Sequence, residues 1–155
     1  ELIVHASETY TNQNLGAEEI HIDHNERGLQ GIQYHYVIRR DGRLQRGLPL
    51  ARKAEASAIR GHDLRCIDVV LVGGLNCPTE TENPLSYRSA QSYTMAQMRT
   101  LEALLEAFYR RFPGGQVFGH NDLEDTAADP YFDVIEYAAK VFRKKSVWFW
   151  RTMQL

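Results

Sequence analysis

The chain has few cysteines, little net charge and no long apolar segment. Its 155 residues include only Cys66 and Cys77, too few for a disulfide framework and not spaced as a CxxC motif, so we expect two separate thiols, with a bridge as the alternative. A formal net charge of −2 argues against nucleic-acid binding through a general electrostatic field. No apolar run approaches the ~20 residues that a transmembrane helix needs. Glu1 leads straight into a strand-like run, without a visible signal peptide.

The composition that remains is that of an ordinary globular domain. Hydrophobic residues make up 43% of the chain and charged residues 25%. A chain of this length is large enough to bury a core. Since neither an internal repeat nor a low-complexity segment is visible, we predict a single domain over residues 1–155, with a basic and aromatic tail from about 143.

Alternating and continuous apolar patterns predict a mixed α/β fold. The predicted strands are 2–5, 31–40, 44–48, 67–74 and 116–119, and the predicted helices are 17–27, 94–112 and 134–142. Asp41-Gly42 is a strong hairpin signal, and Thr94 with Gln97 forms a capping box. An apolar stripe on the second helix predicts core packing; its members are Met95, Met98, Leu101, Leu105, Phe108 and Phe112. Residues 7–14 and 75–93 are predicted as loops.

A candidate metal site begins where the strand 116–119 ends, at His120. The proline after Asp129 favours an extended backbone there, so this carboxylate is expected to project from a loop. Catalytic zinc takes three protein ligands, commonly two imidazoles with a carboxylate or thiolate. His5, which closes the first strand, is the best candidate for the third ligand. Asp129 has two alternatives: it is the N-cap of the last helix, or it has neither role and Asp122 or Asp125 ligates instead.

Five segments, spaced in order, carry a family resemblance: 2–7, 31–42, 70–74, 93–97 and 119–122. From about residue 3 to 137 the chain resembles the type 2 N-acetylmuramoyl-L-alanine amidases, which include phage lysozymes and the peptidoglycan recognition proteins. The resemblance implies a single-domain α/β fold, with a central mixed β-sheet flanked by helices and a zinc site in a surface groove. The implied reaction is cleavage of the amide between N-acetylmuramic acid and the L-alanine of the stem peptide.

The resemblance also implies roles for individual residues. His5, His120 and Asp129 match the ligands of one zinc ion per chain, and Tyr34 matches an active-site tyrosine that orients water or donates to the oxyanion. For Tyr34 the alternative is a core aromatic residue. Thr126 lies six residues after the second histidine ligand, where many relatives have Lys or Thr, although counting back from Asp129 gives Ala127.

Two further positions depart from the pattern of the family that the chain resembles. Ser57 falls where relatives often have a substrate-contacting histidine. Asp68 replaces a usual glycine inside an apolar strand, and nothing in the sequence explains it. The residues expected to contact substrate along the groove are Ser57, His62, Asn76 and Glu80.

The remaining histidines are expected to be structural. His35 is predicted to be partly buried and hydrogen-bonded, while His21 and His24 are predicted surface or packing positions. For His62, the alternative to substrate contact is likewise a surface or packing position. The tail either makes weak contact with an anionic envelope or packs back on the domain.

Together these observations predict a zinc-dependent amidase acting on peptidoglycan. We expect a monomeric, phage-encoded endolysin, made in the host cytoplasm and acting on the periplasmic cell wall, with no nucleic-acid partner. The alternatives are a muropeptide-binding module without catalysis and a muropeptide-recycling amidase of the bacterial cytoplasm.

Overall fold

The computed structural model of the protein describes residues 1–54, 66–77 and 92–152, with side chains described as far as Arg143. Seven strands are present in these ranges: β1 (Leu2–Ala6), β2 (Thr9–Tyr10), β3 (Tyr36–Ile38), β4 (Leu44–Arg46), β5 (Ile67–Leu71), β6 (Gly74–Leu75) and β7 (Val117–Gly119). The described helices are α1 (Ala17–Glu26), α2 (Met95–Arg111), α3 (Val134–Thr152) and a short 3-10 turn, His120–Asp122. The mixed α/β prediction is confirmed.

The main sheet has five strands in the order β4-β3-β5-β1-β7. β1 lies inside it and pairs in parallel with both β5 and β7. Every residue of β1 is buried, as expected for a continuous apolar strand covered on both faces. β3 runs parallel to β5 and antiparallel to the edge strand β4.

The loop predicted at 7–14 contains one further pairing. Thr9 and Tyr10 form β2, which pairs in parallel with β6 in a separate two-stranded sheet. The backbone thus continues to pair beyond the ends of β1 and β5, because Ser7 and Thr9 donate to the carbonyls of Leu71 and Gly73.

The predicted hairpin is confirmed, but its strands are shorter than expected. Gly42, at φ +85°, adopts the left-handed conformation that the turn requires, and its amide donates to Arg39 O at 2.9 Å. β3 does not extend back to residue 31, because the amides of Ile32 and Gln33 donate to Nδ1 of His21 and His24 on α1. This stretch is bonded to a helix instead of a neighbouring strand.

Helix α2 begins at the predicted capping box. The Thr94 hydroxyl accepts from the Gln97 amide and the Gln97 side chain accepts from the Thr94 amide, both at 3.1 Å. Leu101, Leu105 and Phe108 are buried in the main core. Met95 and Phe112, at the two ends of the predicted stripe, are exposed, so the core-facing stripe is shorter than predicted.

Helix α3 begins at Val134, and Asp133 caps it. Its Oδ1 accepts from the Glu136 amide at 2.7 Å, so Asp129 is not the helix cap. The helix continues to Thr152, and the segment predicted as a tail is therefore helical as far as that residue. Within the described ranges, the helices are too short or too polar to cross a membrane.

Candidate active site

The sheet brings His5 and His120 to the same edge. His5 lies near the carboxyl end of β1, and His120 follows β7 directly. Since β1 and β7 are parallel neighbours, their carboxyl ends meet, and the two imidazole rings lie 5.0 Å apart. The loop after β7 returns Asp129 to this point, where Asn121 N donates to Asp129 O at 2.9 Å.

His5, His120 and Asp129 form one compact group, as the sequence predicted. Each offers a ligand atom, and these atoms lie within 4.8 Å of one another. Asp129 Oδ1 is 2.7 Å from His120 Nδ1, and its Oδ2 is 3.8 Å from His5 Nδ1. Asp129 Oδ2 also accepts from the Ala6 amide at 3.0 Å, which fixes the carboxylate against β1. The alternative Asp122 is engaged elsewhere, because its side chain accepts from Gly119 N.

The unexplained aspartate of β5 is the partner of the first histidine. Asp68 Oδ1 lies 3.0 Å from His5 Nε2, and the Asp68 side chain is 1% exposed. Asp68 also contacts His35: its amide donates to His35 Nδ1 at 2.9 Å, and its Oδ2 lies 3.3 Å from the same nitrogen. His35 Nε2 in turn donates to Arg52 O. His35 is thus hydrogen-bonded as predicted, and more fully buried.

The second histidine also has a carboxylate partner, but at the surface. Glu124 Oε2 lies 3.0 Å from His120 Nε2, and the Glu124 side chain is 50% exposed. Thr126 donates its hydroxyl to Glu124 Oε1 at 3.1 Å. Glu124 was not identified from the sequence. The available signal for this contact was a glutamate four residues after His120.

Both histidines therefore present the same nitrogen to the centre of the group. Their Nε2 atoms face Asp68 and Glu124, while their Nδ1 atoms face Asp129. Two imidazole nitrogens and one carboxylate are a donor set that suits zinc and leaves a coordination position open. Carboxylates on the outer nitrogens are the usual support for such ligands.

Burial and hydrogen bonds shift the pKa values of Asp129, His120 and Asp68. Burial alone would raise the pKa of Asp129, but hydrogen bonds from His120 and the Ala6 amide outweigh it and lower the pKa. The Asp129 hydrogen bond raises the pKa of His120 against the opposing effect of burial. Burial likewise opposes ionisation of Asp68, yet its contacts with His35 and His5 lower the pKa to about 2. Asp68 therefore carries a full negative charge at neutral pH.

The group opens into a pocket of about 450 Å³, and Tyr34 lines the same pocket. The Tyr34 ring lies 5.3 Å from the His5 ring and 5.4 Å from the His24 ring. Burial raises the pKa of Tyr34 well above its ordinary value, so its hydroxyl remains a donor at neutral pH. His24 is buried and hydrogen-bonded to the Gln33 amide, which fits the predicted packing role.

Four residues were predicted to contact substrate. Ser57, His62 and Glu80 lie outside the described residues. Asn76 follows β6 and is not among the described residues that line the pocket. Cys66 and Cys77 are separate thiols, as expected.

Proteins of known structure share this fold. The amidase LysC from Clostridium intestinale superposes with a TM-score of 0.67 at 21% identity, covering 94% of this chain and 83% of that one. A human peptidoglycan recognition protein, in complex with glycosamyl muramyl pentapeptide, gives a TM-score of 0.62 at 16% identity over 88% of this chain and 79% of that one.

Sequence comparison then identifies the family. The endolysin of Enterobacteria phage T3 is 32% identical over 133 residues, covering 86% of this chain and 81% of that protein. The endolysin of Klebsiella phage KP32 is 31% identical over 134 residues, with 86% and 82% covered. Residues 1–132 match the N-acetylmuramoyl-L-alanine amidase family. The chain therefore belongs to this family and is an amidase that hydrolyses peptidoglycan.

Proposed function

We propose that the protein is a zinc-dependent phage endolysin that cleaves the amide between N-acetylmuramic acid and the L-alanine of the stem peptide. The observation that carries this proposal is the His5, His120 and Asp129 group, which lies at a pocket in a chain of this amidase family. The similarity to endolysins supports a role in host lysis.

His5, His120 and Asp129 would hold one zinc ion through two imidazole nitrogens and a carboxylate oxygen. The outer nitrogens are already engaged by Asp68 and Glu124, so the inner ones are directed to a shared ligand. When bound, zinc supplies Lewis-acid activation of water and of the scissile carbonyl.

The chain's own side chains would then orient the substrate and stabilise developing charge. Tyr34 keeps its proton, and as a donor beside His5 it is suited to the oxyanion of the tetrahedral intermediate. The Thr126 hydroxyl donates to Glu124, which in turn contacts His120. Thr126 is therefore proposed to act through Glu124, by supporting the position of His120. Ser57, His62, Asn76 and Glu80 are proposed to contact the glycan and stem peptide along the groove.

The proposed location follows from the endolysin relatives. A phage-encoded chain would be made in the host cytoplasm and act on the periplasmic cell wall as a monomer, with at most weak envelope contact through residues 143–155. The alternative is a recycling amidase in the bacterial cytoplasm. Intact murein sacculi and soluble anhydro-muropeptides, offered side by side, separate these roles, since an endolysin should prefer the sacculi.

The central test combines zinc content with release of peptide from purified murein. We expect one zinc per chain and active cleavage in the wild type, and loss of both in His120→Ala. His21→Ala is the matched control, because it removes an α1 histidine that is bonded to Ile32 N and lies outside the ligand group. Cleavage that persists without zinc would refute the metal-dependent mechanism.

A second candidate is a recognition module that binds muropeptide without cleaving it. The observation in its favour is the shared fold with a recognition protein whose structure holds a muramyl pentapeptide. The complete donor set argues for catalysis instead. Tight muropeptide binding without zinc or cleavage would favour the recognition module.

A further inference from the structure

Asp68 occupies a position in the sheet from which it reaches a ligand on the neighbouring strand. It pairs with Ile3 in the parallel register of β5 and β1, two residues before His5. Its carboxylate lies inside the protein, and Oδ1 is 3.0 Å from His5 Nε2. A charged group in such a position requires partners, and the imidazole of His5 is one of them.

This contact determines where His5 carries its proton. An ionised carboxylate only accepts hydrogen bonds, so the short contact places the proton of a neutral His5 on Nε2. The other nitrogen, Nδ1, then carries the lone pair, and this is the nitrogen that faces Asp129. The contact with His35 does not alter this conclusion, because it involves Asp68 Oδ2, whereas His5 faces Oδ1.

We propose that Asp68 is a positioning residue, which holds His5 in the tautomer and ring orientation that direct Nδ1 toward the metal. This inference rests on the proposed zinc-dependent function and deepens it. Asp68 touches neither substrate nor metal; it acts through His5. In an enzyme that binds zinc with two histidines, it accounts for a charged residue in the middle of an apolar strand.

Glu124 provides the internal comparison. It makes a contact of the same length with His120, but its side chain is half exposed, so water is available to replace it. Asp68 is enclosed between strands, where water has little access. Removing Asp68 is therefore expected to weaken zinc binding about 10- to 100-fold, the usual range for an outer partner of a ligating histidine.

The experiment uses the full chain, with Zn²⁺ alone as the probe, in wild type, Asp68→Ala and Asp68→Asn. Zinc affinity is measured by chelator competition, and the His5 tautomer by long-range ¹H–¹⁵N NMR on the metal-free protein. We expect the wild type to carry the proton on Nε2. In Asp68→Ala this preference should be lost and zinc affinity should fall about 10- to 100-fold. Asp68→Asn, whose amide oxygen still accepts, should stay within about threefold of the wild type, less than the typical loss of an outer partner.

Gln97→Ala is the matched control for losing a buried polar side chain. Gln97 is completely buried and bonds to Ile38 O and Val72 O, away from the histidines. This variant should lower thermal stability but leave zinc affinity and the His5 tautomer unchanged. A purely structural role for Asp68 would give that same pattern.

Two results would overturn the inference. One is a wild type with its His5 proton on Nδ1, and this measurement decides the matter even if Asp68→Ala does not fold. The other is a folded Asp68→Ala protein with unchanged tautomer and zinc affinity. Failure of the proposed function gives a different result, namely a wild type without zinc or murein cleavage, while the metal-free tautomer still tests Asp68.

Discussion

The two histidines of the site have equivalent contacts in very different surroundings. His5 and His120 each place Nε2 3.0 Å from a carboxylate, but Asp68 is 1% exposed and Glu124 50% exposed. The His5–Asp68 pair lies within the sheet, and the His120–Glu124 pair lies in the segment that follows β7. A hydrogen bond inside the protein is strong and costly to leave unmade, whereas water compensates for one at the surface. Loss of the imidazole is therefore expected to affect folding more strongly at His5 than at His120.

The largest expected contrast is between His5→Ala and His120→Ala. Both should lose zinc and with it the amidase activity, because each removes one of the three proposed ligands. His5→Ala leaves the Asp68 carboxylate, 1% exposed, without its imidazole, so it should reduce the free energy of unfolding of the metal-free protein by about 2–4 kcal/mol. His120→Ala also removes the imidazole from the buried Asp129, but the Ala6 amide still donates to that carboxylate, so the reduction should be smaller, about 1–2 kcal/mol. Urea denaturation in the presence of a chelator measures both, and equal losses would contradict the distinction.

Substitution of Tyr34 tests whether the buried surroundings of His5 also contribute to the reaction. Tyr34→Phe keeps the ring beside His5 and removes only the hydroxyl, so kcat should fall by about 10²-fold, as for other oxyanion donors. Zinc affinity should not change. Tyr109→Phe on α2, in the main core, is the matched control and should retain full activity. If Tyr34→Phe retains full activity as well, the core aromatic interpretation of Tyr34 is correct.

A smaller effect is expected at the exposed carboxylate. Glu124→Ala should weaken zinc binding by less than about 10-fold, at or below the lower end of the range for outer partners, because water replaces the lost acceptor. Chelator competition beside Asp68→Ala gives the comparison directly. A loss as large as that of Asp68→Ala would show that exposure does not distinguish the two carboxylates.

The smallest effect is expected at Thr126. Its hydroxyl donates to the exposed Glu124, where water competes for the bond, so Thr126→Val should change amidase activity by less than about fivefold. Murein cleavage at saturating zinc is the measurement. A decrease comparable to that of Tyr34→Phe would instead place Thr126 at the oxyanion, as the family resemblance first suggested.

The sequence predicted the parts of the site that follow from strand ends. His5 and His120 close apolar runs, and neighbouring parallel strands bring such ends together, so the ligands followed from pattern and resemblance. The segment 31–33 was misassigned, because alternation cannot show that the amides of Ile32 and Gln33 bond to histidines on a helix. Asp68 was visible as an anomaly, but its partner is 63 residues away in the chain and became evident only from the sheet register. The cap at Asp133, rather than Asp129, likewise depended on where α3 begins.

The register between β1 and β7 has one further consequence. Val4 pairs with Gly119, so the next step along both strands brings His5 beside His120. Neighbouring strands lie about 4.8 Å apart, and a slip of one residue turns a side chain to the opposite face of the sheet. A chain that folded with β7 displaced by one position would direct its imidazoles to opposite faces and have no shared metal site. Binding of the proposed zinc would thus depend on strand alignment, because only correctly registered molecules could acquire it.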